Sequence, residues 1–423
     1  MKRSTRLEFF FFIAVIALIS ILPARSFAFY EYKGDENQLE LKGFLRLIGG
    51  VNLNPDNRAF YERETSTSAG VVGRILLDAR AGQKAAFELN AYEFTYYSGI
   101  GAGSTDFLGV TPGSAERSSA LSWVNHRSSD TVNIIAVDRL NVKLNLDDVE
   151  VILGRQAINL STAIYFTPND FFAPFSAQDF FRIYKPGVDA LRTVVGLGPL
   201  SEVSLIAVLG YETEAGSSNG WSTEPSLKDS SAVIRLSTTA RDLEWALVAG
   251  TVRDRNILGG SVQGEVLRGV DLRVEGHYAV PEDNSLDAFT ELSLGLAHTF
   301  PNDFDIKGEF FYHGAGIGDR DNYGASLFTT SSTLPYLARQ YLAIGAGYKV
   351  NPLLRVDGVA IMNLVDQSAL LAFNALYSLS NESEFSFSLI LPTGRETSTG
   401  ASAINSEFGL YPVSAVFELR AYF

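Results

Sequence analysis

Leu39-Glu40-Leu41-Lys42-Gly43-Phe44-Leu45-Arg46-Leu47-Ile48-Gly49-Gly50-Val51-Asn52-Leu53 alternates with a period of two, Leu, Gly or Val at odd positions and mostly polar or charged residues at even ones. Side chains on a strand point to opposite faces in turn, so this stretch is a strand with one greasy and one wetter face. The pattern returns at Val270, Leu272, Val274, Gly276, Tyr278 and Val280 against Asp271, Arg273, Glu275 and His277, and at Phe385, Phe387, Leu389 and Leu391 against Glu384, Ser386 and Ser388. Similar segments occupy 68–81, 85–96, 132–146, 149–156, 188–196, 201–211, 231–238, 243–253, 258–266, 289–300, 306–313, 341–350, 354–364, 368–379 and 413–423, eighteen in all. Most have the ~9–11 residues that a tilted strand needs to cross hydrocarbon.

Connector lengths decide between a soluble sandwich and a barrel. Every second connection is tight, such as Gly82-Gln83-Lys84, Asp147-Asp148, Leu267-Arg268-Gly269 and Asn381-Glu382, while the intervening ones include the long stretches 54–67, 97–131, 157–187, 212–230, 314–340 and 393–405. Sorting by parity puts short turns at one end and long loops at the other, the layout of an up-and-down antiparallel transmembrane β-barrel of about 18 strands in an outer membrane, with short periplasmic turns and long extracellular loops. An even strand count places both termini at the short-turn end. Aromatic residues of apolar parity near strand ends, Tyr97, Tyr211, Trp245, Phe300, Tyr312, Tyr348, Tyr377 and Phe423, are expected to form interfacial girdles.

Composition agrees and excludes other classes. The 423 residues include no Cys, which rules out thiolate metal sites, disulfides and a cysteine nucleophile. A net charge of −14 argues against nucleic acid as a partner. Mean hydropathy is only +0.08, because lipid-facing and water-facing residues alternate and cancel. Lys2, Arg3 and Arg6, an apolar run from Phe9 to Leu22 and the small-residue pattern Ser26-Phe27-Ala28 read as a secretory signal peptide over residues 1–28, leaving 29–423 as the barrel domain. Its removal shifts the net charge to −17.

The chain ends Val416-Phe417-Glu418-Leu419-Arg420-Ala421-Tyr422-Phe423, which resembles the last strand of Gram-negative outer-membrane barrels. That resemblance implies that Phe423 is an assembly signal read by the barrel-insertion machinery, with periplasmic chaperones and outer-membrane lipid as further partners.

A barrel of this size leaves a channel unless something fills it. The segment 157–187 is the candidate constriction, because a water-exposed loop would not carry Phe166, Phe171, Phe172, Phe175, Phe180 and Phe181. It also brings Asp170, Asp179 and Arg182. By parity, early strands give the lumen Lys42, Arg46, Arg74, Arg80, Arg139, Lys143 and Arg192, while later strands give Glu244, Glu265, Asp271, Glu275, Glu291 and Glu309. Two readings follow: a transverse field across the constriction that selects polar solutes, or local pairing along the wall.

Leu153-Gly154-Arg155-Gln156, then Pro168, Asp170 and Pro174-Phe175, then Gly187-Val188-Asp189-Ala190-Leu191-Arg192 resembles a stretch of porin-like outer-membrane proteins. The Gly-Arg-Gln element is similar to one in the alginate-export type of eighteen-stranded barrel. The resemblance implies that Arg155 and Arg192 line the constriction, although Arg155 follows Val149, Val151 and Leu153 on the apolar face and needs a bulge or strand end to turn it inward. The expected function is passive diffusion of small hydrophilic solutes or ions, and like chains of this kind occur as monomers or homo-oligomers. The alternatives are an exporter or specific channel for an anionic saccharide, which a mixed lumen disfavours for alginate, an adhesin or receptor barrel, and an outer-membrane enzyme. For the last, His126 falls in a loop, His298 near a rim, and His277 and His313 point inward on different strands without a Gly-x-Ser-x-Gly element or metal spacing, so no catalytic residue, metal or cofactor is assigned.

Overall fold

A computed structural model describes residues 30–56, 61, 63–99, 115–175, 177, 184–214, 217, 220–283, 285–323, 336–395 and 404–423. The signal segment 1–28 lies outside the described residues. The strands are β1 (Tyr30–Lys33), β2 (Asn37–Leu53), β3 (Thr65–Ala81), β4 (Ala85–Ser98), β5 (Ser122–Arg127), β6 (Thr131–Leu146), β7 (Val149–Gln156), β8 (Val188–Gly196), β9 (Ser201–Thr213) and β10 (Trp221–Ala240). They continue with β11 (Leu243–Val252), β12 (Arg255–Leu267), β13 (Val270–Pro281), β14 (Phe289–Thr299), β15 (Phe304–His313), β16 (Gln340–Asn351), β17 (Leu354–Asn363), β18 (Ala369–Ser380), β19 (Ser383–Thr393) and β20 (Val413–Tyr422).

β2 to β4 and β6 to β20 form an antiparallel ring in chain order, closed by β2 against β20 from Phe44↔Tyr422 to Leu53↔Val413. Closure leaves no unpaired edge within the ring, the condition under which strands tolerate hydrocarbon. The apolar parity faces outward and stays open to the surroundings, with Leu153, Leu247 and Leu258 each more than 60% exposed, while the opposite parity turns inward. The short-turn end holds tight hairpins: Arg241 and Asp242 both have positive φ, as a two-residue turn matching the twist of its strands requires.

Two short strands mend the ring where its members stop. β20 ends at Tyr422 and is followed by Phe423, whose backbone exchanges hydrogen bonds with Gly43 and whose ring covers that glycine, and β1 takes over the same edge of β2 from Leu41 to Gln38. The second repair is larger. β7 and β8 have only 8 and 9 residues, beside 16 in β6 and 13 in β9, because the chain leaves the wall at Gln156 and returns at Val188. β5 pairs with the vacated edge of β6 (Ser122↔Ala136 to Arg127↔Val132), and Ala115 and Glu116 accept from the backbone N–H groups of Tyr211 and Asp189.

This patch changes two expectations. His126 lies in a strand, β5, rather than a loop. Tyr211 is 6% exposed and donates to Asp189, so the patch covers it and it does not join an outer girdle; Trp245, Phe300, Tyr348, Tyr377 and Phe423 do stand exposed on the outside. β10 is also longer than its alternation indicates, since two register shifts interrupt its pairing with β9 above Ser231.

Candidate functional site

The chain that leaves the wall at Gln156 crosses the lumen and is held on the opposite side by two wall carboxylates. Glu309 on β15 accepts from the backbone N–H groups of Ile164 (2.6 Å), Tyr165 (3.1 Å) and Phe166 (2.6 Å). Glu275 on β13 accepts from Ser161 Oγ (2.7 Å), from the N–H and hydroxyl of Thr162, and from the N–H groups of Ala163 (3.0 Å) and Asn169 (3.2 Å). Both carboxylates are buried, at 1% exposure. Hydrogen bonds to a charged acceptor contribute about 1.5–3 kcal/mol each, so these two residues fix the path of residues 161–169.

The apolar part of the segment packs with the wall. Phe166 stacks on Phe311 at 5.0 Å between centroids and joins a buried core with Tyr336, Tyr341 and Ile361; Phe171 and Phe172 enter a second with Val188, Ile206, Val233 and Phe289. Burying each Phe side chain contributes on the order of 1.5–3 kcal/mol, which accounts for Phe166, Phe171 and Phe172; Phe180 and Phe181 lie outside the described residues. Its return leg is tied to the first wall: Tyr184 stacks on Phe44 and lies under the Arg74 guanidinium, the Lys185 carbonyl accepts from Arg139, and the Lys185 ammonium pairs with Asp170.

Most lumen charges are neutralised by neighbours. Arg46 pairs with Glu418 (2.7 Å), Arg74 with Asp138 (2.6 Å), Arg139 with Glu88 (3.0 Å), Lys42 with Glu40 (2.9 Å) and Lys143 with Glu150. Glu275 and Glu309 are used by the crossing segment. Local pairing therefore describes these basic residues of the early strands, because neighbours of like parity sit within reach of one another. Arg192 makes no ion pair among the described residues and lines a cavity of about 240 Å³ with Asp78, Arg80, Glu88, Lys143 and Gln156.

Arg155 departs from its expected place. Its Nε and Nη2 donate to Asp189 (2.7 and 2.9 Å), Nη1 to the Val137 carbonyl (2.9 Å) and Nη2 to the Ser118 carbonyl (3.0 Å), and it is 1% exposed. It clamps the wall patch, and its burial keeps it from a solute. Asp179 and Arg182 lie outside the described residues.

Alternation also misses Asp138. Its register shift opposite Asn90 and Ala91 lets Asp138 and Arg139 both face inward, and Asp138 gathers Arg74, Arg117 and the Gly187 N–H. The consecutive Asp138-Arg139 pair inside an otherwise alternating strand is the readable sign of the bulge. His313 Nδ1 lies 2.8 Å from Glu291, but His313 is 0% exposed, and neither His313 Nε2 nor His277 Nδ1 has a hydrogen-bond partner among the described residues. Among the described residues no cluster of His, Asp and Glu has the geometry to hold a metal ion.

Neither a family model nor a curated protein matches the sequence. Solved structures do match the fold. Acinetobacter baumannii OccAB4 aligns at a TM-score of 0.56 and 11% identity over 92% of this chain and 99% of its own. Acinetobacter baumannii OccAB3 gives 0.55 and 10% over 91% and 99%, and a BenF-like porin from Pseudomonas fluorescens Pf-5 gives 0.55 and 12% over 91% and 98%. The chain thus has the eighteen-stranded antiparallel barrel fold of Gram-negative outer-membrane porins.

Proposed function

We propose that this protein is an outer-membrane channel through which small hydrophilic solutes and ions diffuse passively, with residues 157–187 as its constriction. The crossing segment carries the reading: it runs across the lumen, and Glu275 and Glu309 hold residues 161–169 in a fixed position rather than as a loose lid. Arg46, Arg74 and Arg139 contribute to the lining as members of ion pairs, and Arg192 as a cation that makes none among the described residues. No catalytic role is assigned, since the His313–Glu291 pair is sealed from any substrate. Phe423, packed over Gly43 at the seam, is the residue we assign to recognition by the insertion machinery.

Purified protein in a planar bilayer should give stepwise conductance, and liposomes containing it should swell in small sugars faster than in larger ones. A folded barrel that passes neither ions nor sugars overturns the reading in favour of a surface receptor.

A further inference from the structure

The inner face of β16 presents Tyr341, Ala343, Gly345 and Gly347, so side-chain volume falls away along the strand. Gly345 pairs with Lys307 and stands one inward position from Ala343, the cross-strand partner of Glu309. On the other side of Glu309 its partner is Gly295. The crossing segment therefore meets the wall at a carboxylate flanked by two glycine-widened places.

Both places are occupied. A Cβ at Gly295 would stand 3.4 Å from Ile164 Cδ1 and 3.0 Å from the Glu309 carboxylate, while a Cβ at Gly345 would overlap the Tyr165 hydroxyl. The backbone here has no freedom to give way, because Ile164, Tyr165 and Phe166 all donate to Glu309 and Phe166 is stacked on Phe311. The Tyr165 ring is partly buried beside the aromatic core around Phe166, and it turns about its own χ angles without moving that backbone.

We propose that Gly345 is a size-determining residue of the channel: the space left by its missing side chain holds the Tyr165 hydroxyl against the wall and so sets how far that ring stands into the lumen. Filling the space rotates the ring about its χ angles into the solute path, since rotating a side chain costs less than breaking charge-assisted hydrogen bonds. The inference rests on the channel reading and adds to it the residue that limits bore.

Four variants test it in bilayers and swelling assays: Gly345→Ala, Tyr165→Ala, the double substitution, and Gly308→Ala, which faces away from the lumen with nothing within 4 Å of its Cβ position. Gly345→Ala should lower single-channel conductance at least about twofold and slow large sugars more than small ones, because conduction follows the narrowest section. Tyr165→Ala should raise conductance, alone and in the Gly345→Ala background, and Gly308→Ala should match the wild type. Nitration of Tyr165 by tetranitromethane, read by peptide mass spectrometry, should increase in Gly345→Ala as the ring leaves the wall. A conducting wild type with unchanged conductance or unchanged Tyr165 nitration in Gly345→Ala, a loss not relieved by Tyr165→Ala, or a Tyr165→Ala variant identical to wild type each overturn the inference. A wild type without conductance overturns the channel reading and the size-limiting role together.

Discussion

A carboxylate offers acceptor sites and no donor, which is why Glu309 can hold three successive N–H groups of one short run of chain. Glu309→Gln keeps the shape but turns one oxygen into a donor facing those N–H groups. We expect residues 164–166 to loosen and single-channel conductance to rise and become noisier, with Glu309→Asp intermediate; recordings at fixed salt decide it. Arg192 belongs to the same scale. With no ion pair to balance it among the described residues, Arg192→Gln should move selectivity toward cations, seen as a shifted reversal potential in a salt gradient. Parity was enough to place Glu275, Glu309 and Arg192 inside the barrel. It could not reveal that Glu275 and Glu309 serve the crossing segment, because their donors lie 106 to 145 residues away in the chain.

Strands β7 and β8 read clearly from alternation, and so did the lengths that make them short. What alternation could not foresee is β5, since a strand stitched along one edge at the top of a wall has few buried positions, and here only Ser122 is buried. Arg155 illustrates the same limit: its parity is outward, as counted, yet the patch covers it and the expected bulge inward is unnecessary. Removing one partner from a buried pair costs about 3–5 kcal/mol because the other charge is left stranded. Arg155→Ala should therefore release the patch, with faster hydrogen exchange across Ser122–Arg127 and little change in β13 to β17; Asp189→Asn should have a smaller effect.

At the scale of the whole molecule, three connections between β15 and β20 meet at one buried acid. Glu407 accepts from the Leu337 N–H (3.1 Å), Tyr341 hydroxyl (2.5 Å) and Asn363 amide (2.8 Å), with Asp366 accepting from the Glu407 N–H, so it gathers three loops over the crossing segment. Burial pushes its carboxyl up to about 7, with the Tyr341 hydroxyl and the Leu337 N–H pulling the other way and Asp366 adding to the rise. The folded form thus holds its proton more tightly than an open chain, whose carboxyl titrates near 4.5. Stability of this loop cluster is full below that value, falls as pH rises toward 7 and is level above, a loss of roughly 3 kcal/mol. Hydrogen-exchange protection at Phe408–Leu410, corrected for the intrinsic base-catalysed rate, should be weaker at pH 8 than at pH 5, and Glu407→Gln should remove the difference. The seam between β2 and β20 has a consequence of another kind. Neighbours elsewhere in the ring are chain neighbours, whereas Arg46 and Glu418 meet across 372 positions. The entropy of closing so long a loop must be met before its ladder returns any contact energy. We expect this zipping to come late in folding, so changes at Gly43, Phe423 or the Arg46–Glu418 pair should slow the appearance of closed barrels more than the formation of hairpins.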